Sequence, residues 1–150
     1  ISAEEMYQEV INRASQMDVI IKAAAVADYR PSKIAEDKIK KSEGVSSISL
    51  ERTKDILGEL GNLKQKGIIH SFLCGFSMET QNLEENSKAK LEKKHLDMIA
   101  ANNLKVEGAG FGTDTNVITL ITNNGIRSLE RMSKEAVANE ILNEIQKVIK

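Results

Sequence analysis

Short apolar runs alternate along this chain with segments of helical periodicity, and this alternation limits the possible folds more than any other feature of the sequence. Apolar residues recur every three to four positions in four segments, which places them on one face of a helix. Three apolar runs lie between those segments, at 18–25, 68–76 and 96–101. We expect each run to be a strand buried on both faces. Strands that alternate with helices form mainly parallel sheets, so the sequence predicts an α/β fold, a Rossmann-like three-layer sandwich.

Polar residues at the segment boundaries predict where the four helices begin. Ser2 and Glu5 have the spacing of a capping box, in which hydroxyl and carboxylate satisfy each other's backbone N–H groups. Thr53, Asn82 and Ser133 occupy the same position before the other three periodic segments. We expect each of them to cap the helix that follows.

The C-terminal part of the sequence predicts an antiparallel addition to the sheet. The segments 116–122 and 126–130 are separated by Asn123-Asn124-Gly125, and Asn-Gly is a strong hairpin turn signal. Residues 45–50 also alternate like a strand. The expected sheet is therefore mainly parallel and ends in a C-terminal antiparallel hairpin.

The composition fits one domain and excludes several classes of protein. The chain has 150 residues and a net charge of -1, which is not the basic excess of a general nucleic-acid binder. Its single cysteine, Cys74, excludes an intramolecular disulfide, and no apolar run has the length of a membrane span. The first residue, Ile1, already lies at the edge of a helix. We therefore expect residues 1–150 to be a single, N-terminally truncated domain of a longer polypeptide.

The loops that follow the predicted strands are the expected ligand site, because parallel α/β domains bind ligands beyond the carboxyl ends of their strands. The first loop, 29–44, carries three lysines within 38–41. Lysines so close repel one another unless an anion, salt or solvent offsets the charge. The loop is either a solvated basic segment or a mobile arm that closes on a phosphorylated ligand.

Two further segments have polar patterns with more than one interpretation. Lys90 and Lys94 are four residues apart on one helix face, with Lys93 beside them, and they favour either an anion site or a solvated face paired with nearby glutamates. The glycine-rich segment 108–112 is not followed by a helix, so it is neither a dinucleotide fingerprint nor a Walker loop. The two histidines and the cysteine do not have the spacing of ligands in a recognisable metal site. Cys74 lies in an apolar run, where we expect a small buried side chain with a packing role.

Five motifs, in order and spanning nearly the whole chain, resemble those of the phosphopantothenate–cysteine ligase family. Residues 24–30 match A-A-V-A-D-Y/W-R, and 38–41 match K-I-K-K. Residues 75–80 match G-F-x-x-E-T, 94–102 match K-x-x-D-x-I-x-A-N, and 111–116 match F-G/N-S/T-D-x-N. One such motif would be a weak signal, whereas five in register are specific.

The resemblance implies a ligase reaction in two halves. The carboxylate of 4'-phosphopantothenate attacks the α-phosphate of CTP, which gives an acyl-cytidylate and pyrophosphate. The amine of cysteine then attacks the acyl group and releases CMP, in a pathway that leads to coenzyme A. The resemblance also implies Mg²⁺ with the nucleotide, FMN only where a decarboxylase is fused to the parent, a cytoplasmic location, and a homodimer paired through the C-terminal sheet. It implies no nucleic-acid or membrane partner.

Residue by residue, the resemblance makes Lys38 the catalytic lysine, which stabilises charge in the activation step or holds the intermediate. Asp28 would contact the nucleotide, Phe76 would pack near the base or ribose, and Lys90 and Lys94 would bind the triphosphate. The full set of nucleotide-binding residues that it implies is Ala23, Ala24, Asp28, Lys38, Lys54, Asp55, Ile56, Leu57, Phe76, Lys90 and Lys94.

The sequence departs from the family pattern in two places. Lys54 stands where the family has the proline of P-D-I-V/L, and the N-terminal S-N-x-S-S-G segment, whose asparagine serves the second half-reaction, does not occur in these residues. Three interpretations follow: a ligase that is inactive as an isolated fragment, a non-catalytic nucleotide-binding or dimerisation module of a larger flavoprotein, and, less well supported, a flavin or dinucleotide domain. The sequence does not settle CTP against ATP: bacterial members of the family generally use CTP and some eukaryotic ones ATP, and the motifs here resemble the bacterial ones in spelling.

Overall fold

The computed structural model describes residues 2–33, 35, 37–38, 47–79, 81–103 and 113–149. Its helices are α1 (Ala3–Ala14), α2 (Ile56–Gln65), α3 (Leu83–Lys93) and α4 (Lys134–Gln146). Its strands are β1 (Val19–Lys22), β2 (Tyr29–Pro31), β3 (Leu50–Arg52), β4 (Phe72–Glu79), β5 (Met98–Asn103), β6 (Thr115–Asn116), β7 (Ile118–Thr122), β8 (Gly125–Ser128) and β9 (Met132–Ser133).

One mixed sheet organises the described part of the chain. Its strand order is β1-β4-β5-β7-β8. β1, β4 and β5 are mutually parallel, whereas β7 and β8 pair antiparallel and form the C-terminal hairpin. Two short antiparallel ribbons, β2–β3 and β6–β9, lie outside this sheet. The predicted α/β fold with a mainly parallel sheet and an antiparallel hairpin is confirmed.

Helices cover both faces of the sheet and separate the core into two layers. On one face, Leu73 and Ile99 pack with residues of α1, α2 and α3. On the other face, Cys74 and Met98 pack against α4. Alternate residues of a strand point to opposite faces, so a continuous apolar run such as that of β4 and β5 is required where both faces are covered.

Two of the four predicted helix caps form as expected. Ser2 and Glu5 make the complete capping box, with the Ser2 N–H donating to the Glu5 carboxylate at 2.7 Å and the Glu5 N–H donating to Ser2 Oγ at 3.2 Å. Ser133 Oγ accepts from the N–H of Ala136 at 3.1 Å and begins α4. These caps depend on residues three positions apart, which is why the sequence alone identifies them.

Of the other two predictions, that of Thr53 is wrong, whereas Asn82 holds the predicted N-cap position without a capping hydrogen bond from its side chain. α2 is capped by Asp55, whose carboxylate accepts from the Gly58 N–H at 3.0 Å. Thr53 instead donates its hydroxyl to the carbonyl of Ala27 at 2.6 Å, a contact between distant parts of the chain. Asn82 precedes α3 with a left-handed backbone, φ 48°, and its side chain makes no capping hydrogen bond.

The predicted burial of the first strand on both faces is also wrong. β1 is an edge strand of the described sheet and spans only four residues, and Ile21 keeps 38% of its surface exposed. A strand with a neighbour on one side only cannot be enclosed as β5 is. The alanines that follow, 23–25, leave the sheet and are exposed.

Strand bounds differ from the predicted ones elsewhere in the chain. β4 begins at Phe72 rather than at 68, since Ile68 is 57% exposed and lies before the paired region. In the hairpin, Thr122 pairs with Gly125, so the turn residues are Asn123 and Asn124 and the expected Asn-Gly turn is shifted by one residue. Of the predicted strand 45–50, the structure shows a strand only from Leu50 onward, and residues 45–46 lie outside the described residues.

A close approach at Gly61 sets the position of the α3 terminus relative to α2. Gly61 is buried in α2, and a Cβ at this position would lie 1.9 Å from the carbonyl oxygen of Lys94. Because that oxygen belongs to the backbone, it cannot move aside without displacing the end of α3. A residue without a side chain is therefore required here.

We predict that Gly61→Ala lowers the free energy of unfolding by about 1–3 kcal/mol, because overpacking outweighs the better helix propensity of alanine. Asn62→Ala, at the exposed neighbouring position of the same helix, is the control and should raise stability by about 0.5 kcal/mol. Urea unfolding followed by circular dichroism measures both variants. Equal or greater stability of Gly61→Ala would contradict the close approach.

Candidate functional site

A cavity of about 430 Å³ opens beyond the carboxyl ends of β1, β4 and β5. Its size is in the range of small-molecule sites, and its position is the one at which parallel α/β sheets bind ligands. The residues that line it come from both sides of the sheet terminus: Lys22, Ala23, Ala24, Ala25, Val26, Leu57, Phe76, Ser77, Met78, Asn102, Asn116 and Lys134.

A second hollow of about 530 Å³ lies at the opposite end of the sheet, but its polar groups serve the protein itself. Asp97 accepts from the Leu73 N–H at 2.7 Å and pairs with the ammonium group of Lys64. Ser71, also in this hollow, donates to backbone carbonyl oxygens of the α1 terminus. The polar groups of this hollow therefore bond to other parts of the protein and are not free for a ligand. For this reason we assign the candidate ligand site to the cavity at the carboxyl ends of the strands.

One wall of the cavity combines open backbone with an exposed aromatic ring. Ala23 and Ala24, which follow β1, have small side chains that leave their backbone accessible to a ligand. Phe76 is 37% exposed within β4, while its neighbours Gly75 and Ser77 are buried. We call this surface, completed by Leu57 of α2, the alanine–phenylalanine wall. It can accept the face of a flat aromatic ring such as a nucleobase.

The opposite side of the cavity is polar. Asn102 near the end of β5, Asn116 of β6 and Lys134 of α4 line it, and we call them the asparagine–lysine wall. Asn102 is only 8% exposed. Lys134 is exposed to solvent at the rim.

A cluster of charges stands at the start of α2. Lys94 pairs with Asp55, with 2.8 Å between Nζ and Oδ2. Burial is the largest single influence on Asp55 and acts to raise its pKa, but hydrogen bonds from Lys94 and the Gly58 N–H, together with nearby lysine charges, hold the pKa below its usual range. The pKa of Lys22, whose ammonium donates to the Ala24 carbonyl at 3.0 Å, is lowered by burial first and by Lys94 second. Asp55 and Lys94 therefore already interact with Lys22, a cation that lines the cavity.

Four of the predicted nucleotide-binding residues line this cavity, namely Ala23, Ala24, Leu57 and Phe76. Asp55 and Lys94 do not line it, but both act electrostatically on Lys22, which does. Ile56, also predicted, is 2% exposed and packs in the core, so only its backbone can reach a ligand.

The remaining predicted residues do not line the cavity. Lys54 donates to Glu4 at 2.7 Å and lies 4.5 Å from the centre of the Tyr7 ring, so α1 holds it. Lys90 pairs with Glu79 at 2.5 Å. The acids that pair with Lys90 and Lys94 are thus Glu79 and Asp55, and not the glutamates of the helix itself.

The first basic loop is described only in part. Asp28 is exposed and its carbonyl accepts from the Thr53 N–H at 2.9 Å. Lys38 is exposed and belongs to no helix or strand, while Ile39, Lys40 and Lys41 lie outside the described residues. The glycine-rich segment 108–112 also lies outside them.

Five polar residues of the cavity were not predicted: Lys22, Ser77, Asn102, Asn116 and Lys134. Asn102 and Asn116 are the last residues of two of the family motifs. Their place in those motifs is the signal from which the sequence could have identified them. Lys22 and Lys134 belong to none of the quoted motifs, and only the fold brings them to the cavity.

Metal and thiol chemistry find no support in the described ranges. No group of three or more His, Cys, Asp or Glu side chains among those residues could hold a metal ion. Cys74 is buried, and burial raises its pKa to about 12, which agrees with a packing role. None of the helices in the described ranges is long and apolar enough to cross a membrane.

The sequence resembles known proteins over almost all of its length. It matches the family described as DNA/pantothenate metabolism flavoprotein C-terminal domain over residues 1–149. It is 45% identical over 145 residues to the coenzyme A biosynthesis bifunctional protein CoaBC of Bacillus subtilis (strain 168), a match that covers 96% of this chain and 35% of that protein. It is 42% identical over 145 residues to a cysteine/cysteine sulfinic acid decarboxylase of an unknown prokaryotic organism, with 96% of this chain and 40% of the relative covered.

Solved structures share the fold. The crystal structure of the C-terminal domain of CoaBC superposes with a TM-score of 0.76 at 40% identity, and the match covers 99% of this chain and 65% of that one. Fold and cavity together define the class of protein, an α/β domain of Rossmann type with a cavity of small-molecule size at the carboxyl ends of its parallel strands. More narrowly, the chain belongs to the DNA/pantothenate metabolism flavoprotein C-terminal domain family. It spans 35% and 40% of the length of the two relatives above.

The depressed pKa of Asp55 predicts a pH dependence of stability. The folded-state pKa lies below the unfolded value of about 4, so the pair with Lys94 stabilises the fold above that pH and is lost as pH falls through the folded pKa. We expect Asp55→Asn to be less stable than the unaltered chain at pH 7, with a difference that shrinks below about pH 4. Thermal unfolding across pH measures it.

A double-mutant cycle with Lys94→Gln provides the control. If the contact is responsible, the effects of Asp55→Asn and Lys94→Gln at pH 7 should be less than additive. Strict additivity, or a stability difference for Asp55→Asn that does not change with pH, would contradict the assignment.

Proposed function

We propose that this chain is the nucleotide-handling part of a phosphopantothenate–cysteine ligase of coenzyme A biosynthesis. The observation that carries the proposal is the cavity at the carboxyl ends of β1, β4 and β5, where open backbone, an exposed aromatic ring and lysine ammonium groups meet. Its occurrence in a chain that is 45% identical to CoaBC supports the reaction class.

The reaction requires positive charge near the cavity. The carboxylate of 4'-phosphopantothenate attacks the α-phosphate of CTP and expels pyrophosphate, and the amine of cysteine then displaces CMP from the acyl-cytidylate. Both steps build negative charge on phosphate or acyl oxygens, and fixed cations stabilise that charge. Lys22 lines the cavity, Lys94 acts electrostatically on Lys22, and we assign Lys38, in the loop that follows β2, as the catalytic lysine.

The pairing of Lys94 with Asp55 is compatible with anion binding. An ion pair at the surface contributes about 0–1 kcal/mol, so phosphate oxygens can replace Asp55 as the partner of Lys94 at low cost. Lys90 differs, because its partner Glu79 has a side chain that is only 11% exposed and would keep only the hydrogen bond from Asn86. Because Lys54 is held by Glu4 and Tyr7, we expect the backbone N–H groups at the start of α2, rather than the Lys54 side chain, to contact the nucleotide.

The alanine–phenylalanine wall is the surface that we assign to the nucleotide. We assign the base and ribose to the alanine–phenylalanine wall, with Asp28 at its edge, because an aromatic face and accessible backbone suit a flat ring with polar edges. The assignment of CTP rather than ATP rests on the resemblance of the motifs to bacterial members. Mg²⁺ would come with the triphosphate.

We further propose that residues 1–150 are one N-terminally truncated ligase domain. Relatives are more than twice as long as this chain, and β1 presents an unpaired outer edge in the described sheet. A further strand pairing with β1 would complete the sheet. FMN would belong to a fused decarboxylase part, the C-terminal hairpin would pair subunits in a homodimer, and the enzyme would act in the cytoplasm.

A second candidate is a non-catalytic nucleotide-binding or dimerisation module of a larger flavoprotein. The observation in its favour is the relative whose name is that of a cysteine/cysteine sulfinic acid decarboxylase, which shares this domain at 42% identity. In that case Lys38 would have no effect on catalysis by the parent. The ligase proposal predicts the opposite.

Ligand screening by thermal shift tests the nucleotide site. A ligand that binds only the folded chain stabilises it by about 2.7 kcal/mol at a hundred times its Kd. We expect CTP to raise the melting temperature more than ATP or CMP at equal concentration. An equal rise in melting temperature with CTP and with ATP would contradict the assignment of CTP. An unchanged melting temperature with every nucleotide would contradict the proposed function.

Lysine substitutions test the individual residues. We expect Lys94→Gln and Lys38→Gln each to weaken CTP binding by about tenfold, equivalent to the loss of about 1.4 kcal/mol. Lys66→Gln, at the far end of α2, removes an exposed charge away from the cavity and should bind like the unaltered chain. Isothermal titration calorimetry measures all three. Binding that is unchanged by both site substitutions would refute the assignment.

A further inference from the structure

We propose that Lys54 is a positioning residue, which fixes the first turn of α2 by binding to α1, in place of the proline of the family pattern. This inference rests on the proposed function and assigns Lys54 a role other than contact with the nucleotide. It depends on two side chains of α1, Glu4 and Tyr7, that belong to none of the quoted motifs.

The Lys54 ammonium group is held from one face of α1. Glu4 accepts from Lys54 Nζ at 2.7 Å, and the centre of the Tyr7 ring lies 4.5 Å from the same atom. Residues three positions apart lie side by side on a helix, so the carboxylate and the aromatic face meet at one point. The hydrogen bond from Lys54 is the first of the contacts that hold the pKa of Glu4 below its usual range. We call these three residues the α1 clasp.

The α1 clasp is one of three contacts that hold consecutive residues before α2. Thr53 donates its hydroxyl to the carbonyl of Ala27 at 2.6 Å. Lys54 contacts α1, and Asp55 caps α2 and pairs with Lys94. The three residues are therefore bonded to the loop after β1, to α1 and to the end of α3. Contacts in three directions fix the path by which the chain enters α2.

The first turn of α2 carries two groups on which the cavity depends. Leu57 belongs to the alanine–phenylalanine wall. Asp55 pairs with Lys94 and acts electrostatically on Lys22, which lines the cavity. A shift of this turn therefore moves part of the wall and the partner of a cation together. A displacement of about 1 Å is enough to weaken an interaction that depends on close fit.

Proline and the α1 clasp restrict this segment by different means. Proline fixes its own φ at about −65° and so stiffens the chain without a partner. Lys54 has no such restriction in its backbone and is held through its side chain. Its N–H makes no hydrogen bond to any residue that the structure describes, and its φ is not in the left-handed region. A proline at this position would therefore break no hydrogen bond of the described backbone.

Calorimetric titration with CTP of two variants at this one position tests the role. Lys54→Gln removes the α1 clasp, and we expect it to weaken CTP binding by about threefold, since an exposed ion pair and an exposed cation–π contact are each weak. Lys54→Pro also removes the charge but restricts the backbone, so it should restore the affinity of the unaltered chain. If the ammonium group contacted the nucleotide directly, both variants would lose the same affinity, and that result would overturn the proposal.

Glu4→Gln tests the α1 clasp from its other side, with almost no change in volume. We expect it to weaken CTP binding in the chain that has Lys54, and to have no effect in the Lys54→Pro variant, where no ammonium group remains to be held. Glu9→Gln is the matched control, because Glu9 is an exposed residue of the same helix that pairs with Arg13. It should bind CTP like the unaltered chain. Equal losses from Glu4→Gln with and without Lys54 would contradict the α1 clasp.

Amide hydrogen exchange without nucleotide measures the order of the turn itself. The N–H groups of Gly58 and Glu59 both donate to Asp55 at 3.0 Å, so their exchange reports on the first turn of α2. We expect Lys54→Gln to accelerate this exchange by about threefold and Lys54→Pro to leave it as slow as in the unaltered chain.

The two measurements together separate this inference from the proposed function. If exchange in Lys54→Gln does not change, the inference is wrong while the nucleotide site stands. If exchange accelerates but CTP binding does not change, Lys54 orders the turn without positioning it for the nucleotide, and the inference is again wrong alone. If the unaltered chain binds no nucleotide, the proposed function fails and this inference fails with it.

Discussion

The enclosure of β5 on both faces and both edges is the constraint on which the rest of the structure depends. β5 pairs in parallel with β4 and antiparallel with β7, and its residues from Met98 to Ala101 are at most 2% exposed. A strand so enclosed must be apolar until it reaches the sheet terminus. Asn102 is the first polar side chain of β5, and it stands where the parallel and antiparallel parts of the sheet meet. The cavity opens at this point, where no further layer of the described residues covers the strand ends.

The position of the charged groups near the cavity also depends on how the helices pack. Gly61 allows the backbone at the end of α3 to approach α2, and this approach brings Lys94 to the Asp55 cap. The same aspartate thus begins α2, pairs with Lys94 and interacts with Lys22 in the cavity. A change made for stability at Gly61 would therefore also move a cation of the ligand site. Fold and site cannot be separated in this region.

The sequence predicts the structure correctly wherever the interaction joins residues that are close along the chain. The capping box at Ser2, the cap at Ser133, the helical periodicity and the position of the closing hairpin all depend on residues a few positions apart, and all are found. It failed where a distant partner competes. Thr53 was expected to cap α2 but bonds to Ala27 instead, and the run at 18–25 was expected to be enclosed but forms an edge strand. Neither outcome can be derived from spacing along the chain.

By itself the sequence determined the α/β class and, through ordered motifs, the family. Only the tertiary structure decided which polar side chains meet at the cavity. It joined Lys94 to Asp55 across 39 residues and left Oδ1 of Asn102 without a partner among the described residues. The physical reason is that periodicity and capping arise from the geometry of a few consecutive residues. The environment of a buried polar atom depends instead on every strand and helix that packs around it.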